Sequence, residues 1–129
     1  MLAVDTNVVV RYLTGDHPEQ STRARALVDT QDVYVCSTVL LETEWVLRDA
    51  YKLAAGPLAK ALRAFAGLPH VTIEDAPLAA QALDWMEAGL DFADALHLSK
   101  AIGHDGFATF DRRFARKVKR LAIAKVLEP

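Results

Sequence analysis

The sequence predicts an α/β fold: a central parallel β-sheet flanked by helices on both faces, in one domain spanning residues 1–129. Three observations predict it. Short apolar runs alternate with longer stretches of helical period, the pattern of strands joined by helical crossovers. Glycine and proline stand mainly between these segments rather than inside them. The turns from strand to helix are mostly short, so consecutive parallel strands are expected to be joined by right-handed helical crossovers.

The elements follow in order. Leu2–Asp5 reads as a buried strand opening directly onto a helix over Thr6–Leu13. Pro18–Val28 is helical, with the proline in the first turn, where its missing N–H is harmless. Val33–Cys36 is a second strand, and Ser37 is placed to cap a helix running to Tyr51. Gly56-Pro57 interrupts the chain and restarts a helix through Phe65. Gly67 and Pro69 close that helix before the strand Val71–Ile73. Ala76–Ala88 is a helix stopped by Gly89. The next helix begins near Asp91 and ends by Gly103. Gly106–Phe110 is a strand, a basic helix starts at Arg112, and Ala122–Leu127 forms a last strand.

Composition narrows the function. Hydrophobic residues make up 52% of the 129, enough for a packed core, which excludes a disordered or low-complexity chain. The single Cys36 excludes an internal disulfide framework and a multi-cysteine zinc site. No apolar run approaches the ~18 residues of a membrane span. Asp5 interrupts an N-terminal stretch that has no basic flank, so the expected location is cytoplasmic. The formal net charge of −2 hides an asymmetry. Seven basic residues and no acid lie between Arg112 and Lys125, against an acidic remainder. Such a segment suits phosphates or an acidic partner, and equally a solvated helix.

In a parallel sheet the carboxyl ends of the strands share one edge, and ligands bind there. Asp5 ends the first strand, Asp111 follows the strand Gly106–Phe110, and Asp91 and Asp94 open a helix. Taken singly, each reads as a helix cap, and Asp91 with Asp94 resembles a capping box. Glu42 does not fit that explanation. Its helical neighbours Val39 and Val46 place it on or beside the apolar stripe, facing inward without a cationic partner on its near face. Glu44, four residues before Arg48, reads instead as half of an exposed ion pair. Carboxylates gathered in one crevice repel one another unless a divalent cation is present. Oxygen-only donors select Mg²⁺ or Mn²⁺, ions that serve phosphodiester displacement.

With Asp5, Glu42, Asp94 and Asp111 in this order, the chain resembles a PIN-domain nuclease, specifically the VapC-type toxins of toxin–antitoxin pairs. The matching stretches are Val4-Asp5-Thr6-Asn7, Ser37–Leu47, Asp91–Ser99 and Thr109-Phe110-Asp111. The resemblance implies a Mg²⁺- or Mn²⁺-dependent ribonuclease, active on RNA and dimeric with itself, held inactive by a small VapB-like antitoxin. It implies that Asp5 and Asp94 are the principal metal ligands, that Glu42 and Asp111 complete the cluster, and that Thr6, Asn7 and Thr109 orient carboxylates or water. Arg112, Arg113 and Arg116 are the expected contacts to the RNA backbone.

The four histidines lack metal-ligand spacing and read as structural, with His97 the nearest to Asp94. Trp45 and Trp85 read as core or interface anchors. No phosphate-binding glycine loop or serine-nucleophile elbow is present. Two other readings stay open. An aspartate-nucleophile phosphatase also begins with an Asp after the first strand, but wants a second Asp where Asn7 stands. A non-catalytic interaction module would use the acids only as caps.

Overall fold

In a computed structural model describing residues 1–129, three short strands form the central parallel sheet, with helices around it. The strands are β1 (Leu2–Ala3), β2 (Val33–Val35) and β3 (Val71–Ile73). β2 is central, pairing Leu2 with Val33 on one side and Val33 with Val71 on the other. Val33 and Val35 are almost fully enclosed, so β2 carries the sheet's contribution to the core. Helices α1 (Thr6–Thr14) and α2 (Pro18–Thr30) join β1 to β2. Helices α3 (Ser37–Asp49) and α4 (Ala55–Ala66) join β2 to β3. The antiparallel pair α5 (Ala76–Glu87) and α6 (Phe92–Lys100) then packs as a hairpin, reversing at Gly89, whose φ of +113° suits glycine.

A single apolar cluster joins these parts, with Leu58, Leu62 and Phe65 from α4, Leu47 from α3, and Phe92 and Leu98 from α6. Each such side chain stabilises the fold by about 1.5–3 kcal/mol on burial.

The chain's last third departs from the expectation of one continuous sheet. β4 (Phe107–Ala108) and β5 (Val126–Leu127) pair in parallel with each other but make no ladder with β1. The helix between them, α7 (Arg112–Leu121), is anchored to the body by its side chains. Phe114 and Val118 enter the core, and Phe107 packs edge-on against Phe114.

Element ends differ from the sequence reading where a side chain from elsewhere intervenes. Ser37 does not cap α3. Cys36 occupies the cap position without a side-chain bond, and the Ser37 N–H donates to Glu74 Oε1 at 2.8 Å. One orphan donor of α3 is therefore satisfied by a carboxylate just past β3. β3 has the predicted bounds, whereas β1, β2, β4 and β5 are shorter than predicted; at the end of β1 the Val4 N–H still donates to the Tyr34 carbonyl at 3.1 Å, and Asp5 caps α1.

Candidate active site

Since β1, β2 and β3 run parallel, Asp5, the start of α3 and Glu74 all stand at the same sheet edge. Asp5 holds the start of α1. Its Oδ1 accepts from the Val8 N–H at 3.2 Å, leaving Oδ2 without a protein partner. Thr6, the next residue, is buried, and its hydroxyl donates to Glu42 Oε1, tying α1 to α3.

The two glutamates of α3 exchange the surroundings expected of them. The buried stripe runs through Leu40, Thr43, Glu44 and Leu47, the i, i+3, i+4, i+7 face of the helix. Glu44 is therefore the interior carboxylate, 1% exposed, and Glu42 lies on the flank that opens to solvent. Val39 and Val46 are only half-buried, so they do not carry Glu42 inward. Arg48 satisfies both oxygens of Glu44, through Nε at 2.9 Å and Nη2 at 3.3 Å. That pairing was legible in the sequence; its burial was not.

On α6 only half of the predicted capping box forms. Asp91 Oδ2 accepts from the Asp94 N–H at 3.3 Å, while the Asp94 carboxylate makes no hydrogen bond and no ion pair. Half-burial pushes the Asp94 carboxyl above its ordinary range, and the nearby negative charges of Asp91 and Asp111 push it the same way. His97 and Lys117 act in the opposite sense. Asp111 belongs to the start of α7, where its Oδ1 accepts from the Phe114 N–H at 2.9 Å. Its own N–H donates to Thr109 Oγ1 at 3.0 Å, so Thr109 fixes the turn that presents it.

The structure thus links Asp5 with Thr6 and Glu42 along the chain and through one hydrogen bond, and brings Asp94 within range of Asp91 and Asp111. It does not close three acidic side chains on one point at metal-ligand spacing. Asn7 makes no bond to any of the four acids and lines a separate cleft of about 380 Å³ between α1 and α2, with Arg11 and Arg23. Arg112 is engaged by Glu128 at 3.1 Å, whereas Arg113 and Arg116 are exposed and free of ion pairs. Three histidines have local partners: His17 caps α2, His70 meets Asp32, and His104 meets the Ala101 carbonyl. Trp85 lies in the core, while Trp45 is 53% exposed beside Glu42. Sequence reading missed the contact of Arg48 with Asp91, at 3.7 Å, because it joins helices far apart in the chain.

None of Asp5, Glu42, Asp94 and Asp111 forms an ion pair, a state they share with Asp29, Asp49, Glu74 and Asp105, whereas Asp16, Glu44, Asp75, Asp84 and Glu87 are each paired. An all-oxygen donor set with unneutralised charge fits a hard divalent cation. The chain belongs to the PIN domain family, whose match covers residues 2–120, and PIN domains are in general metal-dependent nucleases. No curated protein matches the chain. No helix is long and apolar enough to cross a membrane.

Proposed function

We propose that this PIN domain is a Mg²⁺- or Mn²⁺-dependent endoribonuclease that hydrolyses RNA phosphodiesters at Asp5, Glu42, Asp94 and Asp111. One observation carries the reading: Asp94 is partly buried with no ion pair and is crowded by Asp91 and by Asp111, itself one of the four acids. Asp5 and Asp94 would be the principal metal ligands, with Glu42 and Asp111 completing the set. The ion would supply Lewis acidity to the phosphodiester and to the attacking water. Thr6 holds Glu42 in place, Thr109 holds Asp111, and Asp5 and Asp111 each keep one oxygen free of the cap bond. Arg113 and Arg116 offer unpaired guanidinium groups to an RNA backbone on the flank of Asp111.

The four motif stretches, in their order and spacing, support the finer assignment to the VapC-type toxins. In that reading the chain is a cytoplasmic toxin, forms a homodimer, and is restrained by a small VapB-like antitoxin.

A second reading, a non-catalytic interaction module, is favoured by the cap bonds of Asp5, Asp91 and Asp111. One experiment separates the two. The purified chain with Mg²⁺ or Mn²⁺ cleaves RNA, EDTA stops it, and Asp5→Asn or Asp94→Asn abolishes cleavage with the fold intact. Cleavage that survives both substitutions and EDTA removes the nuclease proposal.

A further inference from the structure

Glu42 and Asp94 sit on different helices, so whatever sets the relation of α3 to α6 sets the distance between them. We propose that the Glu44–Arg48 pair is a positioning strut, holding Asp91 and through it the first turn of the helix that carries Asp94. The inference rests on the nuclease reading, since it assigns a role relative to that site.

The links are continuous. Glu44 is 1% exposed, and both its oxygens are bound by Arg48, at 2.9 and 3.3 Å, which leaves the guanidinium plane little freedom. Arg48 Nη2 then reaches Asp91 Oδ1 at 3.7 Å, across the gap between the helices. The other oxygen of Asp91 accepts from the Asp94 N–H at 3.3 Å. Glu42, Glu44, Arg48 and Ala93, the residue before Asp94, line one cleft of about 300 Å³, so the strut and the site share a wall.

An interior carboxylate is an expensive way to stabilise a helix pair, because well-packed apolar residues usually serve as well or better. Here the pair lies within α3, and its use in placing α6 comes from Arg48, which also faces Asp91 across the gap between the helices. Reactions that depend on placed charges are sensitive to that placement, and a shift of about 1 Å can cost about a hundredfold in rate. Arg48 and Asp91 touch none of the four acids' oxygens, so both are positioning residues.

The test uses the whole chain. The double variant Glu44→Leu/Arg48→Met removes both charges while keeping volume, so no lone buried ion remains. Asp91→Asn keeps the cap bond, since asparagine caps as well as aspartate, but loses the attraction to Arg48 together with a negative charge that acts on Asp94, so only wild-type values in this variant are decisive. The expected result for the double variant is a wild-type circular dichroism spectrum, about tenfold weaker Mn²⁺ binding by calorimetry, and a kcat lower by about ten- to a hundredfold with KM for RNA unchanged. Asp91→Asn shifts both quantities in the same direction by a smaller factor. A folded double variant with wild-type Mn²⁺ affinity and kcat overturns the strut. If the double variant does not fold, Asp91→Asn decides, and its having wild-type values overturns the strut equally. A wild-type chain that neither binds Mn²⁺ nor cuts RNA overturns the nuclease reading and the strut with it, which distinguishes the two failures.

Discussion

The Thr6 hydroxyl donates a hydrogen bond to the Glu42 carboxylate, joining the first turn of α1 to α3 across 36 positions of sequence. Thr6 is buried and Glu42 is not, so the threonine is the fixed partner and the glutamate the positioned one. Thr6→Val keeps the shape and removes the donor. Stability should fall by about 0.5–1.5 kcal/mol. RNA cleavage should fall by about tenfold, equivalent to about 1.4 kcal/mol of barrier, and Thr6→Ser should restore it. Valine at wild-type rate would show that Glu42 needs no such anchor.

Asp94 gives a pH signature. Burial, Asp91 and Asp111 raise its folded-state pKa above the ordinary 3.8, so the folded chain holds this proton more tightly than the unfolded one. Its contribution to stability is fully present below 3.8 and is lost as pH rises through the folded value. In EDTA, Asp94→Asn should therefore raise Tm at neutral pH, and the gain should shrink to nothing in strong acid. Thermal melts across pH for both chains measure it.

Metal addition should act in the opposite direction to that charge crowding. A cation bound only by the folded chain, at a hundredfold excess over its Kd, stabilises by about 2.7 kcal/mol. Mn²⁺ should thus raise Tm of the wild type and leave Asp5→Asn and Asp94→Asn nearly unmoved. An equal rise in all three would place the binding elsewhere.

Asp111 separates capping from chemistry. Asparagine also caps, so Asp111→Asn should melt like the wild type yet lose activity, whereas Asp111→Ala should lose about 1 kcal/mol as well. Equal activity in wild type and Asp111→Asn would reduce this residue to its hydrogen bond with the Phe114 N–H.

Salt should report on α7. Replacing Arg113 and Arg116 with alanine removes two unpaired cations, while Arg112 is occupied by Glu128. The slope of log affinity for single-stranded RNA against log salt should flatten by about 0.7 for each of Arg113 and Arg116, and hardly at all for Arg112.

What the sequence made legible was local. Asp5, Asp91 and Asp111 were readable as helix starts because a cap acts within three residues, and each makes that bond. That β1, β2 and β3 run parallel followed from the helical segments between the apolar runs. Glu42 and Glu44 were assigned the wrong surroundings because both lie near apolar neighbours, and a helix turned by one residue's angle exchanges them. Glu74 at the start of α3 and Arg48 beside Asp91 were not legible, since both contacts depend on how distant elements meet. The division of the sheet was hidden for a related reason: an apolar run shows that a strand can form, not which neighbour it pairs with.

That division has a mechanical consequence. Asp111 rides on a ribbon that shares no ladder with the three-stranded sheet, and is moored by Phe114, Val118 and a Lys117 ammonium bonded to the Gly89 carbonyl. A wedge driven along that seam would pull one acid away from the others while every helix stayed intact.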